Sequence, residues 1–236
     1  MPTALTQVLQ SLAEDPTQRV PAPLLRGAAR AIFEGEAHPA QLGAMLLGLR
    51  MQGESEEELV AFVQEMLAHA RAFPRPDDGK PIVDTCGVGG DGYNTFNIST
   101  ATALVVAAAG IRVAKHGNRS ATSQCGSADV LEKMGYPIEE EPGRAAQRLA
   151  KDNFCFLFAR VYHPGMRHAA ETRAALGVRT LFNLCGPLAN PARPTHQLVG
   201  VSDKRHVEPM ARTLQALGCE RALVVRGADG LDEISL

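Results

Sequence analysis

The sequence predicts an α/β protein with a small amino-terminal helical domain and a larger domain in which a mostly parallel sheet is flanked by helices. Through the first part of the chain, apolar side chains recur at the spacing of amphipathic helices. From residue 81 onward, short apolar runs alternate with helical patterns, which is typical of parallel sheets. Residues 73–80 are rich in proline, glycine and charge and suit a linker. The predicted domains are therefore 1–73 and 74–236.

The amino-terminal domain is predicted to consist of amphipathic helices. Apolar residues recur at helical spacing within residues 5–12, 24–32, 41–52 and 59–67. Ser55 and Glu58 form a capping-box pattern before the last segment, and Gly53 is placed to end the preceding helix. The acidic residues Glu56–Glu58 fit a solvated first helical turn. This domain therefore carries no pattern typical of a catalytic site.

The second domain alternates strands with helices in chain order. Strands are predicted at residues 82–83, 111–114, 154–158, 197–201 and 222–225, and helices at residues 101–109, 128–134, 143–151 and 204–217. A further helical stretch is predicted to end near Leu176. Phe182–Pro187 is predicted to be a structured loop, because apolar residues flank it on both sides. Loops after neighbouring parallel strands can converge on one ligand.

Composition and charge limit the classes of function that this chain fits. The chain has 236 residues, is 45% hydrophobic and 21% charged, and carries a formal net charge of −2. That charge offers no electrostatic argument for binding nucleic acid. The 5 cysteines show no C-x-x-C spacing, so reduced and unliganded thiols are expected. No apolar run approaches the ~18 residues of a membrane span and no leader pattern is evident, so a cytoplasmic protein is predicted.

A glycine-rich loop follows the first predicted strand. Gly87, Gly89 and Gly90 lie between that strand and the next helix. Glycine lets the backbone approach a ligand closely. Ser99 or Thr100 can cap the helix, whose N-terminus attracts anions. The pattern favours a phosphate or pyrophosphate site, although a plain strand-to-helix turn that needs glycine would have the same pattern.

The second predicted strand leads into the polar segment Lys115–Ser120. Lys115 and Arg119 would place positive charge beside the glycine loop, the lysine as a point charge and the arginine as a planar fork that fits phosphate oxygens. Taken alone, such a segment is more typical of a solvated turn.

Candidate metal ligands follow the last predicted strand. Asp232 and Glu233 are adjacent carboxylates that could hold magnesium, which binds protein carboxylates together with substrate phosphates. The alternative is a charged loop. A zinc site is not expected at His163 and His168, since a spacing of five residues does not bring both imidazoles to one helix face.

Several blocks of the sequence are more specific together than any glycine loop alone. They are Gly87–Asp91, Asn97–Thr100, Lys115–Ser120, Gly126–Glu132 and Phe182–Pro191. In this order they resemble the anthranilate phosphoribosyltransferases of tryptophan biosynthesis, and the resemblance extends over essentially the whole chain.

The resemblance implies an enzyme. It would transfer the phosphoribosyl group of 5-phosphoribosyl 1-diphosphate (PRPP) to the amine of anthranilate with magnesium (Mg2+) as cofactor. It also implies that helices from 163–184 join the amino-terminal helical domain, and that this domain forms a homodimer. The implied partners are thus two small-molecule substrates and a second copy of the chain, without nucleic acid or membrane.

The resemblance also implies roles for individual residues. The implied catalytic residues are Lys115, Asp232 and Glu233, and the implied metal ligands are Ser99, Asp232 and Glu233. PRPP would contact Gly87, Gly89, Gly90, Asp91, Thr95, Asn97, Ser99, Thr100, Lys115 and Ser127. Anthranilate would contact Gly87, His116, Asn118, Arg173, Gly186 and Pro187, with Arg173 paired to its carboxylate. His116 is interpreted as a pocket residue rather than a proven base.

The chain departs from the family pattern in places. Val88 and Cys125 stand where threonine and serine are commoner, and family members continue considerably beyond residue 236, so a carboxyl-terminally truncated member is expected. Two rival functions remain open. A pyrimidine nucleoside phosphorylase shares the fold and a phosphate-binding glycine loop, although the Asn118–Arg119 pair after His116, together with Arg173, favours anthranilate. A non-catalytic nucleic-acid-binding relative is disfavoured by the balanced charge and by the intact Asp232–Glu233 pair.

Overall fold

The computed structural model describes residues 2–93, 95–120 and 125–235. The chain divides into two compact units. One unit comprises Met1–Ala70 and His163–Ala189 and is called the helical unit below. The other comprises Arg71–Tyr162 and Asn190–Leu236 and is called the α/β unit.

The helical unit begins with four helices. They are α1 (Ala4–Glu14), α2 (Ala22–Glu34), α3 (Pro39–Gln52) and α4 (Glu56–Ala68), which confirms the helices predicted for this segment. Its later segment contains a 3-10 helix at Pro164–Met166 and two further helices, Arg167–Leu176 and Leu181–Leu188. The apolar positions that recur along the first four helices form its core, which includes Leu25, Ile32, Met45, Leu49 and Phe62.

The predicted capping box at the start of α4 is confirmed. The Glu58 backbone N–H donates to the Ser55 hydroxyl at 3.3 Å, and the Ser55 backbone N–H donates to the Glu58 carboxylate at 2.9 Å. Both groups therefore satisfy backbone donors that the first helical turn leaves without intrahelical partners.

The predicted loop at Phe182–Pro187 is wrong, because these residues lie within the helix Leu181–Leu188. Its side chains at positions 181, 184, 185 and 188 are buried and follow helical spacing. The backbone N–H of Thr180 donates to the Asn183 side chain at 2.9 Å at the start of the helix. Pro187 is tolerated in the last turn, where its missing N–H costs one intrahelical bond close to the helix end.

The α/β unit contains a parallel five-stranded sheet. The strands are β1 (Val83–Gly87), β2 (Val113–Gly117), β3 (Phe154–Phe158), β4 (His196–Gly200) and β5 (Arg221–Val225), in the order β3-β2-β1-β4-β5. All neighbouring strands run parallel. The predicted fold class, a helical domain followed by a mostly parallel α/β domain, is confirmed.

Helices connect the strands of this sheet. They are α5 (Ile98–Ala108), α6 (Ser127–Lys133), α7 (Pro142–Asp152), α8 (Ala159–Tyr162) and α11 (Val207–Ala216). A 3-10 helix at Lys204–His206 precedes α11. In chain order, the two later helices of the helical unit are α9 (Arg167–Leu176) and α10 (Leu181–Leu188). Strand β3 is buried along its whole length and contributes to the core on both faces. Among the described residues, no helix is long and apolar enough to cross a membrane.

The second strand extends further than its sequence predicts. Lys115, His116 and Gly117 were expected in a loop, but they form the carboxyl end of β2 and pair with Phe156, Leu157 and Phe158 of β3. Because Lys115 and His116 are polar, the apolar pattern of the sequence does not show that the strand continues through them. Both Lys115 and His116 are buried, with 2% and 7% of their surface exposed.

Candidate active site

The candidate site lies at the carboxyl ends of β1 and β4. Strands β2 and β3 lie on one side of β1, whereas β4 and β5 lie on its other side. The connections therefore lead away from the β1–β4 junction in opposite directions. In open parallel sheets such a switch point leaves a crevice outside the strand ends, where ligands bind.

The glycine loop after β1 adopts a backbone conformation that requires glycine. Gly89 and Gly90 have φ angles of 66° and 78°, in the left-handed region. The Val88 N–H donates to the Gly200 carbonyl at the end of β4 at 2.9 Å. The Gly89 N–H donates to Asp232 Oδ2, also at 2.9 Å. The loop thus fastens β1 to β4 and turns a backbone donor toward the acidic pair.

The strand ends leave room for the acidic pair because they carry no side chains. A Cβ atom on Gly87 would lie 2.8 Å from Asp232 Oδ2, and one on Gly200 would overlap the Asp232 carbonyl oxygen. Asp232 therefore lies directly over the β1–β4 junction. The sequence prediction that the glycine loop and the acidic pair belong to one site agrees with this geometry.

Negative charge is concentrated at this junction. Burial raises the pKa of the Glu233 carboxyl, and repulsion from Asp232 and Asp91 raises it further, while Lys115 and the Ser99 N–H lower it. One oxygen of Asp91 is buried and has no hydrogen-bond partner among the described residues. Such an arrangement favours a cation that would relieve the repulsion.

The donor atoms fit magnesium in part. Asp232 and Glu233 supply hard oxygen ligands, and Ser99 contributes a hydroxyl on the first turn of α5. In the described part of the chain, no group of three or more His, Cys, Asp or Glu side chains could hold a metal ion by itself. The acidic pair would therefore provide a partial shell, completed by substrate oxygens and water, which is the usual mode for magnesium.

Lys115 lies beneath the site rather than in solvent. Its ammonium donates to the Thr85 carbonyl at 2.5 Å and to the Ser99 hydroxyl at 3.4 Å. Burial lowers the pKa of Lys115, whereas the nearby carboxylates of Asp84 and Glu233 raise it. Since an ammonium has three donors, one remains available after these two contacts.

The start of α5 differs from its prediction. Asn97, not Ser99 or Thr100, occupies the N-cap position, and its side chain makes no capping hydrogen bond. Ser99 and Thr100 lie in the first turn, and the Thr85 hydroxyl donates to the Ser99 carbonyl at 2.8 Å. The Thr100 hydroxyl is buried without a hydrogen-bond partner among the described residues. The Ser99 N–H donates to the Glu233 carboxylate, so an anion bound at this helix N-terminus would share or displace that contact.

Other residues expected to contact PRPP lie just before α5 and at the start of α6. Thr95 and Asn97 lie in the segment before α5, and Asn97 donates to the Cys125 carbonyl at 3.2 Å. Ser127 begins α6, and its hydroxyl donates to the Asn118 carbonyl at 3.3 Å. Thr95 is exposed.

Arg119 does not supply the positive charge that its sequence position suggested. Its guanidinium forms ion pairs with Asp129 at 2.9 Å and with Glu132 at 2.7 Å, and it also lies over the Phe158 ring. These contacts occupy the fork that was expected to meet phosphate. Arg119 therefore tethers the segment after β2 to α6.

The sequence did not reveal two buried polar residues near His116, which are Asp84 and Asn190. The Asp84 carboxylate is fully buried, accepts from the His116 backbone N–H at 3.4 Å and accepts from Asn190 Nδ2 at 2.8 Å. Burial raises the pKa of Asp84 to about 6, although Lys115 and these hydrogen bonds oppose the rise. The signal in the sequence was an aspartate inside an apolar strand, where a charged residue is uncommon.

Three residues expected to contact anthranilate lie in the helical unit. Gly186 and Pro187 belong to α10, and Arg173 belongs to α9. The Arg173 guanidinium lies 5.1 Å from the centre of the Phe182 ring, and burial lowers its pKa. It makes no ion pair with any described carboxylate. An arginine that is partly desolvated and lacks a carboxylate partner is suited to an anionic ligand.

Comparison with known protein families agrees with this architecture. Residues 79–236 match the glycosyl transferase family a/b domain, and residues 6–70 match the helical bundle domain of the same family. The chain therefore belongs to the glycosyl transferase family.

Individual relatives show which members of the family this chain is similar to in sequence and structure. Anthranilate phosphoribosyltransferase of Persephonella marina is 52% identical over 205 residues, which cover 87% of this chain and 60% of the relative. The crystal structure of the anthranilate phosphoribosyltransferase from Thermus thermophilus matches 99% of this chain and 68% of its own, with 39% identity and a TM-score of 0.87. The Saccharomyces cerevisiae enzyme in complex with PRPP and Mg has 26% identity and a TM-score of 0.87, covering 97% of this chain and 68% of its own.

This chain belongs to the anthranilate phosphoribosyltransferases, which confirms the resemblance drawn from its sequence blocks. It spans about three fifths of the length of the curated relatives that it matches.

Proposed function

We propose that this chain transfers the phosphoribosyl group of PRPP to the amine of anthranilate, giving N-(5-phosphoribosyl)anthranilate and diphosphate, in tryptophan biosynthesis. The observation that carries the proposal is the glycine loop at the β1–β4 junction, where the Gly89 N–H meets the Asp232 carboxylate at 2.9 Å. Its backbone donors and acidic pair together suit a magnesium diphosphate. The family of the chain supplies the reaction class.

The donor substrate would lie over the glycine loop and the start of α5. The backbone of Gly87, Gly89 and Gly90 can approach the diphosphate because no side chain intervenes. The Gly89 N–H donates to Asp232 Oδ2 and would reach the diphosphate by exchanging that partner. The first turn at Ser99 and Thr100 adds the positive end of the α5 dipole, where the Glu233 carboxylate already accepts from the Ser99 N–H. These groups would hold the anionic leaving group in place.

Magnesium would be held by Asp232 and Glu233, with Ser99 completing the protein's part of the shell. When bound, it would neutralise charge on the diphosphate as that group departs. The yeast relative that was solved in complex with PRPP and Mg supports the proposed use of magnesium.

Catalysis would rest on position and electrostatics. Ribosyl transfer is expected to pass through an oxocarbenium-like state, so the bond to the leaving diphosphate breaks as the anthranilate nitrogen approaches the same sugar carbon. Lys115, fixed by Thr85 and Ser99, would stabilise the charge that develops on the leaving oxygens. The aniline-type nitrogen needs alignment more than a strong base, and alignment alone can supply several kcal/mol.

The acceptor substrate would be recognised through its carboxylate. Arg173 can form a bidentate pair with that group, and Phe182 keeps the guanidinium plane fixed. Gly87, His116, Asn118, Gly186 and Pro187 are proposed as its further contacts. His116 is buried in β2 and is proposed to shape the pocket rather than to abstract a proton.

The assembly and location of the protein remain predictions. The amino-terminal helices are proposed to form a homodimer contact, and the protein is proposed to act in the cytoplasm. No nucleic-acid or membrane partner is proposed.

The direct experiment is mass spectrometry of anthranilate incubated with this chain, PRPP and magnesium, with EDTA and Lys115→Ala as controls. The expected product is a phosphoribosyl adduct of anthranilate that disappears with EDTA and falls sharply in the variant. Turnover of thymidine with phosphate instead would favour the nucleoside phosphorylase alternative, and salt-dependent retention on DNA would favour a nucleic-acid-binding role.

A further inference from the structure

Strands β1 and β2 are held together differently along their lengths. They pair at Val83 and Val113, near the start of each strand. On its other side, β1 keeps register with β4 from Val83 to Gly87, over its full length. The carboxyl ends of β1 and β2 therefore need another connection, and both ends carry proposed site residues.

Side chains provide that connection. The Lys115 ammonium donates to the Thr85 carbonyl at 2.5 Å, so a side chain of β2 satisfies a backbone acceptor of β1. In the opposite direction, the Asp84 carboxylate of β1 accepts from the His116 backbone N–H of β2 at 3.4 Å. Each strand thus satisfies a backbone group of the other through a buried charged side chain.

Asn190 completes this bridge from outside the sheet. Its Nδ2 donates to Asp84 Oδ2 and to the Ala114 carbonyl, both at 2.8 Å. Its Oδ1 accepts from the Ala192 N–H at 2.9 Å. The side chain is 2% exposed; its donor atom joins β1 and β2, and its acceptor is used within its own loop. An amide with its donors and acceptor used in this way is fixed in orientation.

We propose that Asp84 and Asn190 are positioning residues that hold the ends of β1 and β2 apart at the spacing in which Gly87, Lys115 and His116 meet the substrates. This inference rests on the proposed function. Asp84 and Asn190 touch no proposed substrate themselves. They act through the backbone of β1 and β2, and a small displacement of those strand ends would misplace every group they carry.

The pair requires one acceptor-only group and one amide. The Asp84 carboxylate can accept from both Asn190 and His116. In Asp84→Asn, the new amide has one oxygen to accept from Asn190 Nδ2 and the His116 N–H. Its NH2 group therefore faces one of these two donors without an acceptor. In Asn190→Asp, a second carboxylate replaces the donor to Asp84 and to Ala114, leaving two buried acceptors in contact. Either substitution conserves volume and breaks the bridge.

Exchanging the two residues provides a rescue. In the double variant Asp84→Asn with Asn190→Asp, the amide at position 84 can donate to the carboxylate at 190 and still accept from the His116 N–H. The carboxylate at 190 can still accept from the Ala192 N–H. The donor to Ala114 is lost and the carboxylate at 190 still faces that carbonyl, so the exchange restores the contact between positions 84 and 190 but not the contact with Ala114.

The test compares the two single variants, the exchanged pair and Leu149→Ala. Leu149 is fully buried on α7 and takes no part in the hydrogen bonds of the bridge, although it lies in the same core cluster as Ala114 and Ala192, so its truncation lowers stability chiefly by leaving a cavity. Two properties are measured in each protein: kcat/KM for PRPP in the anthranilate reaction, and hydrogen exchange of peptides covering 84–89 and 113–118. Hydrogen exchange requires no substrate.

Both single variants are expected to lose about tenfold to 100-fold in kcat/KM and to exchange faster in the two peptides. The exchanged pair should recover part of both properties and exceed either single variant, whereas Leu149→Ala should change kcat/KM by less than about threefold. Single variants that resemble Leu149→Ala, or an exchanged pair no better than the singles, would overturn the proposal. If the wild-type chain transfers no phosphoribosyl group, the proposed function fails, and recovery of exchange protection by the exchanged pair still decides whether the bridge sets the strand ends.

Discussion

The two units of this protein use buried polar side chains for different purposes. In the helical unit, Glu58 closes the start of α4 together with Ser55, and Glu65 pairs with Arg30. In the α/β unit, buried polar groups gather at the ends of parallel strands, as Asp84 and Lys115 do. The first arrangement completes helices, whereas the second places charge beside a crevice. Burial of a charged residue therefore indicates function only together with its position in the fold.

The largest expected effects are losses of activity when charged residues of the α/β unit are replaced. Lys115→Ala and Asp232→Asn should each lower kcat/KM by about 100- to 1,000-fold, because each removes a group that stabilises the departing diphosphate. His116→Ala should lose less than either, since its proposed role is to shape the pocket. Steady-state kinetics of the phosphoribosyl transfer measure this ranking.

The matched control lies in the helical unit. Arg30→Gln removes an ion pair with Glu65 whose N···O distance is 3.2 Å and should change kcat/KM by less than about twofold, since the arginine is largely exposed. If His116→Ala proved more damaging than Lys115→Ala, the assignment of Lys115 as the main electrostatic group would be wrong.

Acid should weaken the helical unit through His163. This side chain is 4% exposed, and burial lowers its pKa from 6.5 to about 4. Its neutral ring contacts the Ala189 carbonyl through Nε2 at 2.9 Å. Because the unfolded chain binds the proton first, the free energy of unfolding should fall by about 3 kcal/mol as pH drops from 6.5 to 4. His163→Gln should flatten that dependence.

Urea unfolding followed by circular dichroism measures the change, since the chain has no tryptophan for fluorescence. An unfolding free energy with the same pH slope in His163→Gln and the wild-type chain would exclude His163 as its source.

Asp84 should have the opposite pH dependence in the α/β unit. Burial raises the pKa of this carboxyl from 3.8 to about 6, so the folded chain holds a proton that the unfolded chain has released. Its contribution to the free energy of unfolding should therefore fall by up to about 3 kcal/mol as pH rises from 4 to 6. Relative to the wild-type chain, Asp84→Asn should gain stability over that range while losing activity.

Urea titrations of both proteins at pH 4, 5 and 6 test this sign, because only the difference between them isolates residue 84. A difference in unfolding free energy that is constant with pH would show that the Asp84 carboxyl does not titrate in this range. The two units would then not differ in the sign of their pH dependence.

The smallest expected effect concerns the helical capping box. Ser55→Ala removes the acceptor for the Glu58 N–H at the start of α4 and should cost about 1 kcal/mol of stability. Activity measured well below the unfolding temperature should stay within about twofold of the wild-type value. Ser55→Thr keeps a hydroxyl and serves as the matched control, and a Ser55→Ala protein as stable as that control would mean that the capping contact contributes little.

Much of the fold could be predicted because its elements have strong periodic patterns. The four amino-terminal helices and strand β3 lie where apolar spacing placed them, and the Ser55–Glu58 pattern correctly marked the start of α4. The errors occurred where local signals conflicted. Gly186 and Pro187 suggested a loop, but a buried apolar face and a capped start make Leu181–Leu188 a helix.

The candidate site was predictable in part. The glycine loop and the acidic pair could be identified because their residue types restrict their chemistry, and the structure brings Gly89 and Asp232 into contact. Arg119 was misjudged, since its ion pairs with α6 depend on the path of the chain. Asp84 and Asn190 were missed because they are 106 positions apart and make sense only as a pair.

The sequence by itself determined the alternation of elements, the glycine positions and the family, since these follow from local pattern and residue type. Tertiary structure alone decided that Lys115 is a buried strand residue, that Gly87 and Gly200 leave space for Asp232, and that Asp84 meets Asn190. The physical reason is that burial and hydrogen-bond partners depend on which distant segments the strand order brings together, and local periodicity carries no record of that order.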